Sequence, residues 1–117
     1  MKIAFIYSKK NKRYEKIIES IINELKNDKT NTQNVFDINI AKNSRKKYDL
    51  YVIFSDEKEE FDIDIMGLKG KPMLITSNLT SEYINYVITK VTDIVYSQNN
   101  ISTIINRING NLKRSHE

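Results

Sequence analysis

The 117-residue chain carries a formal net charge of +4, with 39% hydrophobic and 29% charged residues. That balance suits one globular domain with its own core and is too apolar for disorder. The chain has no cysteine, and its single histidine is His116 in the polar tail, which excludes disulfides, thiolate or histidine metal clusters, cysteine nucleophiles and histidine-based triads.

Residues 2–8, Lys-Ile-Ala-Phe-Ile-Tyr-Ser, form an apolar run that predicts a buried first strand. The run is too short for a signal peptide, and no window approaches the roughly 18 apolar residues of a membrane span, so a cytoplasmic, membrane-free protein is expected. Tyr14, Ile17, Ile18, Ile21, Ile22 and Leu25 then recur at helical spacing and predict an amphipathic helix over about residues 11–27. After a polar connection, Val35, Asp37 and Asn39 alternate with Phe36, Ile38 and Ile40, the pattern of an edge strand at about 34–40. A short basic stretch with Lys42, Arg45, Lys46 and Lys47 leads into residues 48–54, an apolar third strand for the centre of the sheet.

Residues 55–60 read as an acidic loop, followed by the run 61–66 and a turn at 67–72. Met73 to Thr76 make a fourth strand, with Pro72 at its start, where a missing N–H is tolerated. Ser77, Asn78 and Thr80 offer capping oxygens for a helix beginning near Ser81. Beyond it two readings stand. Ile84, Val87, Ile88, Val91, Ile94 and Val95 share one long helix to about Ser97, or the helix ends near Val91 and residues 93–97 form a fifth strand. The alternation of strand and helix in doubly wound sheets favours the second. Asn99-Asn100 turns the chain into a last helix with the stripe Ile101, Ile104, Ile105, Ile108 and Leu112, leaving 113–117 as a tail after a single domain at 1–112.

Three segments carry a resemblance to the flavodoxin-like family: residues 2–8 running through a polar loop into the first helix, Asp37-Ile38-Asn39 leading to Lys47-Tyr48-Asp49-Leu50-Tyr51-Val52-Ile53, and Leu68-Lys69-Gly70-Lys71-Pro72-Met73-Leu74-Ile75 before and within the fourth strand. The resemblance implies an α/β fold with one open parallel sheet, strand order 2-1-3-4(-5), and helices on both faces. It places ligands beyond the carboxyl ends of the strands, between strands one and three. The rim there runs from Ser8 to Arg13 in the first loop and takes in Ser55-Asp56 from the third and Ser77-Asn78 from the fourth; its candidate ligand residues are Ser8, Lys10, Asn11, Arg13, Ser55, Ser77 and Asn78. A loop that opens a helix directs free N–H groups and a positive dipole end outward, and Lys10 and Arg13 add charge, so these seven residues are the candidate cofactor- or anion-binding set.

The family's phosphate loop resembles Ser/Thr-x-Thr-Gly-x-Thr, and only Ser8 matches it; Lys10, Asn11 and Arg13 replace the next hydroxyl, the glycine and the last threonine. The loops after strands three and four offer no aromatic residue before Phe61, and the chain has no tryptophan to flank a flavin ring. The expectation is therefore a non-catalytic regulatory or binding module without a resident cofactor, whose partner is a protein or a small anionic ligand. The alternative implied by the resemblance is a short FMN-binding electron-transfer protein. Strand one ends without the acidic pair that would hold magnesium for a phosphoryl-accepting aspartate after strand three, and the acidic residues from Asp56 to Asp64 lack the spacing of a calcium loop, so no metal site is expected. Nucleic acid is not the expected partner, since the acidic loop near the same edge repels phosphate.

Overall fold

Strand and helix alternate along the chain in a computed structural model that describes residues 2–27, 35–38 and 47–115. The elements in order are β1 (Lys2–Tyr7), α1 (Lys12–Asn27), β2 (Val35–Ile38), β3 (Leu50–Phe54), α2 (Lys58–Ile65), β4 (Met73–Thr76), α3 (Ser81–Val87), β5 (Asp93–Tyr96) and α4 (Ile101–Ser115). The five strands form one parallel sheet in the order β2-β1-β3-β4-β5, an α/β fold of flavodoxin-like type. Phe5 of β1 stands opposite Ile38 on one side and Val52 on the other, so the first strand to leave the amino terminus lies inside the sheet.

Side chains alternate between the two faces with the strand period of two. Ile3, Phe5, Leu50, Val52, Phe54, Met73 and Ile75 pack against the stripes of α1 and α4. Ala4, Ile6, Tyr51, Ile53 and Leu74 pack against Phe61 of α2 and Tyr83 and Val87 of α3. Both faces of β3 are covered, and all five of its residues are buried, as its uninterrupted apolar sequence predicts. Among the described residues, no helix is long and apolar enough to cross a membrane.

The fifth strand is present, and α3 stops at Val87, with a turn before Val91. Thr80 caps α3 by accepting from the Tyr83 amide, and Asn100 Oδ1 accepts the Thr103 amide at 2.8 Å at the start of α4. Several boundaries differ from the sequence reading: α3 ends at Val87 rather than near Val91, and β3 begins at Leu50 rather than at residue 48. Lys58, Glu59 and Glu60 are not loop residues but the first turn of α2, whose only wholly buried apolar side chain is Phe61. With Ile63 facing solvent, that helix has no apolar stripe to announce it; acidic residues at its start suit the dipole, and Gly67, at φ 78°, lets the chain leave it. The last helix carries on through Lys113 and Arg114 to Ser115 rather than ending at Leu112. The expected strand positions 34, 39 and 40, the basic residues Lys42, Arg45 and Lys46, and His116 lie outside the described residues.

Candidate functional site

At the carboxyl ends of β1, β3 and β4 three short connections converge, and an aspartate links them. Asp56, two residues beyond the end of β3, directs its carboxylate across the mouth of the crevice. Its Oδ1 accepts hydrogen bonds from the Tyr14 hydroxyl at 2.5 Å, from Thr76 Oγ1 at 3.0 Å and from the Ser77 amide at 2.8 Å. Its Oδ2 accepts from the Arg13 guanidinium at 3.3 Å, and its backbone carbonyl accepts from Asn78 Nδ2 at 2.8 Å. Tyr14 reaches this point because it opens the buried stripe of α1, with its ring against Phe54 at a centroid distance of 5.4 Å.

The titration of this group follows from its surroundings. Burial raises the Asp56 carboxyl, but hydrogen bonds from Tyr14, Ser77 and Thr76 outweigh burial and hold it below the ordinary carboxylate range. Burial and then the bond to Asp56 push the Tyr14 hydroxyl well above a free tyrosine. Tyr83, whose hydroxyl donates to the Ser55 carbonyl at 3.0 Å, is pushed up to about 12, chiefly by burial. The Asp56 carboxylate is therefore a fixed negative charge whose acceptor capacity is taken up by the protein itself.

The residues singled out from sequence gather here, engaged with one another, with Asp56 and with their own loops. Ser8 closes the turn into α1: its carbonyl accepts the Asn11 amide at 2.9 Å and its hydroxyl the Lys10 amide at 3.4 Å. Asn11 Oδ1 accepts from Arg13 Nε at 3.4 Å. Ser55 is wholly buried and donates its hydroxyl to the Glu57 carbonyl. The Ser77 amide is taken by Asp56, and the side-chain oxygen of Asn78 accepts both the amide and the hydroxyl of Thr80. Lys10 is exposed and lies near enough to Glu60 to pull that carboxyl down, although burial and the charges of Glu57 and Asp56 raise it overall.

Beside this knot a cleft of about 360 Å³ opens between α2 and α3. Asp56, Glu57, Glu59 and Glu82 line it, with Lys58 tied to Glu82 at 2.9 Å. Among the described residues no group of three or more histidine, cysteine, aspartate or glutamate side chains is placed to hold a metal ion. Tyr14 and Thr76 are the members absent from the rim expected from sequence, where Tyr14 counts as a core position and Thr76 as the end of a buried strand. Asp56 belongs to that rim, but nothing in the sequence marks its carboxylate as the group that gathers the donors. No protein-family model matches the chain, and no curated protein matches it.

Proposed function

We propose that this chain is a non-catalytic binding module without a resident cofactor, and that the carboxyl end of its sheet meets a basic segment of a protein partner. The observation that carries the reading is the Asp56 carboxylate, held by Arg13, Tyr14, Thr76 and the Ser77 amide. Those donors are the groups that a phosphate entering this crevice would need, and a carboxylate kept ionised there would repel it. The surrounding charge is mainly of the same sign: Glu57, Glu59 and Glu82 line the adjoining cleft against the single cation Lys58, and a concave surface with an excess of one sign concentrates the field toward cations.

A titration with an oligo-arginine peptide, followed through backbone amide resonances, tests this. Saturable shifts at Glu57 to Glu60 and at Glu82, weakened when Glu59 or Glu82 is changed to lysine and weakened by salt, are expected. Uptake of added FMN to give a yellow protein overturns the cofactor-free reading. Peptide shifts that ignore both charge reversals overturn the partner face.

A further inference from the structure

The opposite end of the sheet carries the opposite charge. Where β3, β4 and β5 begin, a cleft of about 400 Å³ opens at the surface. Lys47 reaches it from the lead-in to β3, Lys69 and Lys71 from the turn before β4, and Arg114 from the last turn of α4. Tyr48 and Tyr51 also line it; both are buried, and their rings meet edge-on at 5.5 Å. The one carboxylate in the lining, Asp49, accepts the Lys2 amide at 2.7 Å. Arg13, Lys58 and Arg107 are ion-paired elsewhere, whereas Lys47, Lys71 and Arg114 form no ion pair with another described residue.

We propose that this cleft binds a small ligand through a diphosphate group. Four cationic side chains on three separate pieces of chain surround one concavity, which a solvated charged face does not require. Two features oppose an anion there: Asp49, and the carboxyl end of α4, equivalent to about half a negative charge. Lys47, Lys71 and Arg114 outweigh both. The guanidinium of Arg114 supplies a planar fork for paired phosphate oxygens, and the lysines supply point charges that follow the rest of the group. The cavity falls in the range of ordinary small-molecule sites. The proposal is independent of the partner face, which lies at the other end of the strands.

The test is a titration of the full-length chain with inorganic pyrophosphate and, in a second arm, with adenosine diphosphate, each followed through backbone amides. Saturable shifts confined to Lys47, residues 69–71 and residues 111–114 are expected, with affinity falling as salt rises. Lys71→Ala and Arg114→Ala should each weaken binding roughly tenfold, while Lys71→Arg retains it. Both side chains are exposed, so the variants should fold, which the unchanged remainder of the spectrum would show. Tighter binding in the nucleotide arm shows that the cleft also holds the attached group, and equal binding assigns recognition to the diphosphate alone. Non-saturating shifts at millimolar pyrophosphate, affinities indifferent to both alanine variants, or shifts centred on residues 8–13 overturn the proposal. So does a single-stranded oligonucleotide that binds more tightly than either probe, which would make this end a nucleic-acid face.

Discussion

The Tyr14 hydroxyl and the Asp56 carboxylate, 42 residues apart in the chain, meet at 2.5 Å and join the first turn of α1 to the exit of β3. Removing either partner leaves the other's groups buried without their main acceptor or donor. Asp56→Ala takes the acceptor from the Tyr14 hydroxyl and Thr76 Oγ1 and leaves the Ser77 amide only the Tyr14 oxygen at 3.2 Å, and a loss of roughly 2–3 kcal/mol is expected, in the range for hydrogen bonds to a charged group. Tyr14→Phe keeps the ring against Phe54 and leaves Asp56 its other donors, so about 1–2 kcal/mol is expected. Urea unfolding of the two variants checks the order. A Tyr14→Phe protein less stable than Asp56→Ala would remove the carboxylate from the centre of this network.

Stability should fall with acid, for a reason that can be assigned. Asp56 is held below its ordinary range by Tyr14, Ser77 and Thr76 against burial, and Asp93 is lowered by Arg107 and Asn111 against burial. A carboxyl with a lower pKa folded than unfolded contributes stability that is fully present above its unfolded value of about 4 and is lost as pH falls through the folded value. The advantage of the wild type over Asp56→Asn should therefore be largest at neutral pH and shrink in acid. Unfolding midpoints measured across that range decide it, and a difference that grows as pH falls would contradict the assignment.

Glu60 titrates the other way. Burial, Glu57 and Asp56 raise its carboxyl, and its Oε2 is buried without a hydrogen-bond partner among the described residues. An acid whose pKa is raised on folding lowers stability once pH climbs above the unfolded value, and the cost is complete above the folded one. Glu60→Gln should therefore stabilise the protein at neutral pH, by less than about 1 kcal/mol because the group is partly solvated. The gain should vanish in acid, where the native carboxyl is already protonated. Thermal unfolding at the two pH values separates this from a gain that is independent of pH.

The sheet was legible because its strands announce themselves: residues 50–54 are apolar on both faces, and the helix stripes of α1 and α4 fall at helical spacing. The choice between one long helix and a fifth strand turned on Val91, Ile94 and Val95, which suit either period. Tertiary packing decides it, with Val95 set opposite Ile75 in the sheet. Helix α2 was not legible because one buried aromatic, Phe61, fixes it and no period surrounds that residue. At the crevice the composition of the rim could be read, but not its bonding. Whether Ser77 and Arg13 face a ligand or a carboxylate depends on where Asp56 points, and no spacing in the sequence encodes that direction. The cations of the opposite cleft are spread from Lys47 to Arg114 and come together only in the fold.

Removing the Asp56 carboxylate while keeping its donors should turn the crevice into a receptor for a free anion. In Asp56→Ala the Ser77 amide, Thr76 Oγ1, the Tyr14 hydroxyl and the Arg13 guanidinium lose their common acceptor, and the deleted carboxylate leaves room for one of similar size. Formate reproduces that group. An anion that binds only the folded state stabilises it in proportion to the logarithm of its concentration, by about 1.4 kcal/mol at ten times its dissociation constant. Formate should therefore raise the unfolding midpoint of Asp56→Ala beyond what chloride does at the same ionic strength. It should do so less in the Asp56→Ala/Tyr14→Phe double variant, which lacks one donor, and not at all in the wild type, where the carboxylate already holds the position. Equal effects of formate and chloride on Asp56→Ala would mean that the donors rearrange once the carboxylate is gone. The crevice would then be held open by Asp56 rather than merely filled by it.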